Sequence, residues 1–337
     1  MLQSVPIHIF SGFLGSGKTT LLKKTLDYYT ESGKKPVVIM NEIGEINLDG
    51  MIIGEEVPMA EMLSGCICCT IRGDLSMAIK NLYTEHQPDV IFIESTGIAN
   101  PMEIMEGVTD ASLLMPVVLK SIVTVVDAPH LLSLSQKPRR KTSALMKEQI
   151  RCASLVILNK ADKVSTEELD ELDRLIRAWN PFALIEITVY CQLDLQILES
   201  LNDLPAGRTV EEKCKAACGS EQGQACDHRH AAPDDKAHHH HHTHDHVIAY
   251  THYFNRPIDL DKFEEVIRSL PQQVYRAKGI VQTTDGESTM HHLFQYAYRE
   301  LEFMNLRIKP KVAVQNVAVF IGENFSKDDV IQALDKI

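Results

Sequence analysis

The sequence predicts an α/β fold: a doubly wound, mostly parallel sheet, followed by a flexible linker and a small α+β unit. Three observations lead there. Short, nearly all-apolar runs alternate with helical patterns through the first 200 residues. That alternation stops at 206–246, a stretch rich in Gly, Ala, Cys, Asp and His with almost no large aliphatic residue. Ordered patterning resumes at Val247. The expected units are therefore 1–205, 206–246 and 247–337.

The β-type runs are 5–11, 36–41, 89–94, 119–126, 154–159 and 183–189. Continuous apolar runs of this length suit strands buried on both faces of a parallel sheet. Helical patterns fall between them at 18–31, 73–86, 142–152 and 165–179. The last opens with Ser165 and has Glu168 three residues on, the arrangement of a capping box. Strands alternating with helices give doubly wound topology. The 206–246 stretch has too little apolar surface to offset ordering entropy and reads as a flexible linker. Beyond it, 247–254 and 274–283 read as strands, and 258–270 as a helix opened by Pro257–Asp259. Residues 293–304 alternate in places, 312–321 reads as a strand, and 326–337 as a helix with Ser326 at its N-cap.

Composition excludes several classes of function. The net charge of −12 argues against nucleic acid or an anionic membrane as the main partner, since both need basic patches. No apolar run reaches the roughly 18–20 residues that span a bilayer. The N-terminal stretch has neither the charged start nor the cleavage site of a signal peptide, so a cytoplasmic protein is expected. Eight cysteines in such a chain read as free or metal-bound thiols.

Residues 12–19, GFLGSGKT, match G-x-x-x-x-G-K-[ST] between a strand and a helix, the pattern of a phosphate-binding P-loop. Gly12, Gly15, Ser16 and Gly17 let backbone N–H groups face phosphate oxygens. Lys18 is placed for the β/γ-phosphates, the Thr19 hydroxyl for Mg²⁺, and Thr20 for the α-phosphate. A second strand ends in Glu94, and Gly97 follows it. The carboxylate is a candidate Mg²⁺ partner, although Asp is more usual there, and the Gly97 N–H is a candidate γ-phosphate donor. At a third strand end lies NKAD. Asp162 can accept two hydrogen bonds from guanine N1 and N2, a pair of donors that adenine lacks, while Asn159 and Lys160 flank the base. The expected nucleotide is GTP. Asp49 is a candidate to orient the attacking water.

Residues 64–69, SGCICC, crowd Cys66, Cys68 and Cys69 together, without the knuckle spacing of a zinc finger. In an extended segment Cys66 and Cys68 would share a face, with Cys69 turned to another. Three soft thiolates suit Zn²⁺, or alternatively Co²⁺ or Ni²⁺. The preceding NEIGEINLD, where the first switch of a GTPase would sit, offers Glu42 and Glu45 as oxygen ligands. Coupling between that switch and the thiols would be reciprocal: metal would alter GTP affinity by the factor by which GTP alters metal affinity. Nine of the 15 histidines lie in 228–246, among them His238, His239, His240, His241, His242, His244 and His246. Along a flexible segment they would make loose, exchangeable metal sites. Cys152 and Cys191 read as packing residues.

GFLGSGKTT, NEIGE, GCICC, ESTG and NKAD, in this order, resemble the CobW-like family of metal-linked P-loop GTPases, related to the nickel-inserting GTPases of hydrogenase and urease maturation. The resemblance extends to 247–337, where RAKG at 276–279 resembles the family's C-terminal domain. It implies a GTPase that delivers zinc, or in some members cobalt, to a client metalloprotein. The P-loop, Glu94 and Asn159–Asp162 would bind Mg-GTP, and the three clustered cysteines the metal. Met40 stands where some members carry a carboxylate, which leaves Glu45 as the favoured oxygen. Two alternatives remain: a GTP-gated store or sensor without productive turnover, and a small-molecule kinase, which would leave GCICC and NKAD without a role. Oligomeric state is not legible.

Overall fold

The computed structural model describes residues 4–41, 57–61, 68–137, 140–201, 247–285, 288–297, 299–306, 315–323 and 325–337. Its first half carries seven strands: β1 (Val5–Ser11), β2 (Pro36–Asn41), β3 (Met59–Glu61), β4 (Val90–Ser95), β5 (Val117–Asp127), β6 (Leu155–Asn159) and β7 (Leu184–Ile187). Their order is β3-β2-β4-β1-β5-β6-β7, with every neighbouring pair parallel. The helices are α1 (Lys18–Glu31), α2 (Cys68–His86), α3 (Pro101–Ser112), α4 (Ala128–Gln136), α5 (Arg140–Arg151), α6 (Thr166–Trp179) and the short α7 (Ile197–Ser200).

Helices cover both faces, so the central strands have no polar side. All of Val90–Ser95 is buried, as the unbroken apolar run requires. One face packs Ile7, Ile9, Ile39 and Ile91 against Leu75 and Ile79 of α2 and Ile104 and Val108 of α3. The other packs Phe10, Val38 and Phe92 against Leu22, Leu26 and Tyr29 of α1. The Ser165 capping box that opens α6 is formed reciprocally, with Ser165 N–H donating to Glu168 Oε2 at 2.7 Å and Glu168 N–H to Ser165 Oγ at 3.3 Å.

The second half is a five-stranded antiparallel sheet of β8 (Val247–Tyr253), β9 (Val274–Asp285), β10 (Ser288–Ala297), β11 (Glu300–Leu306) and β12 (Val317–Glu323), in the order β11-β10-β9-β12-β8. Helices α8 (Leu260–Arg268) and α9 (Lys327–Leu334) cover one face. Asp259 caps α8 and Ser326 caps α9 through their side chains. The opposite face meets the first unit. Leu113 packs with Ile280, Val317 and Val319, and Val247 and Ile321 join the core beneath α2 and α3.

Three differences from the sequence expectation matter. The 293–304 run, which alternates only in places, is a hairpin, β10 returning as β11. The second helix begins at Cys68 and not at residue 73, so the backbone of Cys68 and Cys69 forms a first helical turn and not an extended segment. The reason is local: once the chain enters a helix, neighbouring residues sit about 100° apart and the two-residue alternation of a strand is lost. The short β3 pairs with the outer edge of β2. Cys66, Glu42, Glu45, Asp49 and the whole 206–246 linker, with its histidines, lie outside the described residues.

Candidate functional site

At the carboxyl ends of β1, β4 and β6, three loops converge, the place where a doubly wound sheet binds ligands. The loop after β1 is the glycine-rich one. Gly12, Gly15 and Gly17 hold φ of 131°, 74° and 115°, a left-handed run that only glycine adopts without strain. Gly17 is also sterically fixed: a Cβ there would lie 2.6 Å from Asn159 Nδ2 and 3.0 Å from Cys191 Sγ. Helix α1 starts immediately after it with no side-chain cap, so its first N–H groups face the loop. That end of the helix attracts anions through its unpaired donors and dipole.

Lys18 is largely buried and donates to the carbonyl of Phe13 at 3.2 Å, which lays its ammonium across the loop. Thr19 Oγ1 donates to Glu94 Oε1 at 2.8 Å. Hydroxyl and carboxylate oxygens meeting beside a phosphate cradle are the hard donor set that suits Mg²⁺. Ser16 Oγ is buried with no hydrogen-bond partner among the described residues. Thr20 lies on the exposed side of the helix. Beyond Glu94 the chain leans on the loop, and a Cβ on Gly97 would sit 2.6 Å from Leu14 N. Gly97 therefore allows a close backbone approach that any larger residue would prevent.

Asn159 is wholly engaged with the protein. Its Nδ2 donates to Ser16 O at 2.8 Å, and its Oδ1 accepts from Cys191 N at 3.0 Å and Thr188 Oγ1 at 3.2 Å. It ties the P-loop to β6 and to the turn after β7. Lys160 takes the left-handed conformation, φ 61°, and pairs with Asp127 Oδ2 at 2.6 Å. Asp162 follows in a single 3₁₀ turn, its side chain exposed.

Sequence reasoning missed three groups here. Asp127 ends β5, caps α4 through His130 N–H, and fixes Lys160. An Asp before Ala-Pro at a strand end was the available signal. Gln149, fully buried on α5, donates to Gly97 O at 3.2 Å and Ala99 O at 3.5 Å. Cys191 is more than a packing residue: its backbone N–H serves Asn159, and its thiol lies 3.5 Å from Gly17 O. Burial pushes that thiol up to about 11, so it stays protonated. Tyr190 and Cys191 both have positive φ, 53° and 51°, a strained pair beside the site. No pattern in the sequence marks that strain.

Of the sulfur trio, the structure describes only the backbone of Cys68 and Cys69, at the start of α2. Among the described residues, no three metal-ligating side chains come together, and no helix is long and apolar enough to cross a membrane.

Comparisons with known proteins find relatives of both halves of the chain. Residues 6–185 match the family model described as "CobW/HypB/UreG, nucleotide-binding domain", and residues 247–337 match "Cobalamin synthesis protein cobW C-terminal domain". "Zinc-regulated GTPase metalloprotein activator 1" of Dictyostelium discoideum is 35% identical over 215 residues, covering 54% of this chain and 45% of the relative. The protein of the same name from Schizosaccharomyces pombe is 29% identical, covering 97% and 84%. "Zinc chaperone CobW" of Pseudomonas aeruginosa is 31% identical, covering 60% and 61%. The chain thus matches about half of the Dictyostelium relative's length and most of the fission yeast relative's. Among solved structures, the Zn(II)-bound YjiA GTPase of E. coli aligns over 99% of both chains at 19% identity with a TM-score of 0.48, too low to weigh.

Proposed function

The chain belongs to the CobW/HypB/UreG family, and from that premise we propose that it is a GTP-hydrolysing metallochaperone. In this reading it binds zinc, or a similar divalent ion, through Cys66, Cys68 and Cys69 and passes it to a client metalloprotein in the cytoplasm. The observation that carries the nucleotide half is the meeting of Thr19 Oγ1 with Glu94 Oε1 at 2.8 Å beside a left-handed glycine loop. Relatives named as zinc chaperones support the metal half.

The residues divide the work as follows. Backbone N–H groups from Gly12 to Thr19 and the start of α1 receive the phosphates. Lys18 exchanges the Phe13 carbonyl for β- and γ-phosphate oxygens. The Ser16 hydroxyl has the one orphaned oxygen in this loop and gains a partner when phosphate arrives. Thr19 and Glu94 would hold Mg²⁺, which when bound neutralises charge on the phosphates. Gly97 offers its N–H to the γ-phosphate. Asp162 selects guanine, while Asn159 holds its loop against the cradle and Lys160, steered by Asp127, lies along the base. Asp49 orients water. Cys68 and Cys69 begin a helix, where the positive end of the dipole favours thiolate, the metal-binding form. Glu45 or Glu42 supplies oxygen, and the linker histidines 238–242, 244 and 246 capture metal loosely. With a net charge of −12, neither nucleic acid nor an anionic membrane is a fitting partner.

The test is a titration of the untagged full chain with GTP, ATP and zinc. Expected are preference for GTP, turnover on the order of 10⁻⁴–10⁻² per second, and zinc affinity that changes with nucleotide. Cys68→Ala should lose stoichiometric zinc and keep GTP. Metal binding indifferent to guanine nucleotide would defeat the delivery reading. Coupled binding without phosphate release would leave a GTP-gated store, and cobalt in place of zinc in the purified chain would make it a cobalt-delivering member.

A further inference from the structure

The loop that follows Glu94 leads straight into α3. Asn100 caps that helix, accepting from Met102 N at 3.0 Å, and Pro101 fixes its first turn. Loop and helix are therefore joined without slack. At 12 residues and about 1.5 Å per residue, α3 is a rod of roughly 18 Å that begins four residues past Gly97. Its Met102, Glu106 and Asp110 recur every four residues and so form one stripe. The C-terminal sheet grips that stripe. Arg276 pairs with Glu106, Lys278 pairs with Asp110, and Tyr275 Oη lies 3.7 Å from Met102 Sδ. Lys278 also donates to the Glu106 carbonyl at 3.4 Å. The Lys278 side chain is only 7% exposed, so its pairing with Asp110 is screened far less than a surface ion pair.

A second arm reaches the same loop. Gln149 holds the carbonyls of Gly97 and Ala99, and two residues further along α5 Arg151 Nη2 donates to Glu323 Oε1 of β12 at 2.8 Å. The Gly97 loop is thus fastened to the C-terminal sheet through α3 at its far end and through α5 along its length. The loop itself presses on Leu14, a close approach that ties its position to that of the P-loop.

We propose that Arg276 and Lys278 are positioning residues for the nucleotide site: by fixing α3 they set where the Gly97 loop stands, and so how strongly the site distinguishes GTP from GDP. The idea rests on the GTP-binding reading above. A γ-phosphate that draws the Gly97 N–H toward it pulls on α3, and the clamp resists or assists according to its own geometry. The effect is reciprocal, so the nucleotide state alters the C-terminal sheet by the same factor.

Fluorescent GTP-analogue and GDP dissociation constants, measured with Mg²⁺ on the full chain, test this. The Arg276→Gln/Lys278→Met double variant should change the ratio of the two constants by about fivefold or more. The exchanged pair, Lys278→Asp with Asp110→Lys, should move the ratio back toward wild type. A purely structural role lowers the melting temperature and leaves the ratio alone. Wild type that binds neither nucleotide sinks the functional reading itself. Wild type that binds both, with an unchanged ratio in a folded double variant, sinks only the clamp. If the variants do not fold, hydrogen exchange on the wild-type chain decides. Protection in β9 should differ between the GTP-analogue and GDP states, and identical protection there overturns the proposal.

Discussion

His8 lies in the central strand, its ring stacked on Phe92 at 5.5 Å and its Nδ1 2.7 Å from Ser121 Oγ. Burial first, and then the charges of Lys120 and Lys34, lower its pKa to about 3. The folded state thus keeps it neutral, whereas the unfolded chain takes up a proton near pH 6.5. Its contribution is complete above the unfolded value and is lost as pH falls from there toward the folded one. Chemical denaturation should show this residue alone costing about 2 kcal/mol between about pH 7.5 and about pH 5. His8→Gln should flatten that part of the slope, and an unchanged slope would rule the residue out. Asn159 shows where the sequence stops at this scale. NKAD marks the residue, but not that its amide joins Ser16, Thr188 and Cys191, because those partners are distant in sequence. Asn159→Ala leaves buried backbone groups unpaired, at about 1–3 kcal/mol, read from denaturation midpoints. It should also weaken GTP binding without altering the preference for GTP over ATP.

Elements whose ends carry local chemistry were legible. Ser165 and Glu168 announce α6, and the capping box is present. Ser165→Ala should cost about 1 kcal/mol, measured by urea denaturation, and a shift near zero would mean the turn is held by packing alone. The β1–α1 unit is equally plain, since an apolar run, a glycine loop and a helical pattern follow one another. The β10–β11 hairpin was not legible. Its turn has no Asn-Gly or Asp-Gly pair. Instead Arg299 takes φ 68° and is held there by donating to Leu270 O at 2.8 Å and Tyr296 Oη at 3.0 Å. Tertiary bonds replace turn chemistry, so a reader of the sequence sees one alternating run. The start of α2 was missed for a related reason: Gly73 interrupts the pattern, and the helix passes through it.

At the scale of the whole molecule the question is whether two sheets behave as one body. Doubly wound order was legible from alternating patterns, but the docking of the second sheet was not, because RAKG carries no sign of which helix it meets. The packing argues for unity. Val247 and Ile321 sit in the core beneath α3, Leu113 is enclosed by Ile280, Val317 and Val319, and Tyr253 Oη donates to Val117 O at 2.9 Å. Each fully buried aliphatic side chain contributes about 1.5–3 kcal/mol, so parting the units exposes enough apolar surface to couple their unfolding. The chain's single tryptophan, Trp179, reports only the first unit, while far-UV circular dichroism reports both. The two signals should therefore follow one coincident denaturation curve. Leu113→Ala removes the side chain at the centre of the junction and should cost about 2–5 kcal/mol, and with the junction weakened the curves should begin to separate. Curves that separate already in the wild type would mean that the sheets unfold independently, and that the ion pairs of Arg276 and Lys278 join two bodies of separate stability.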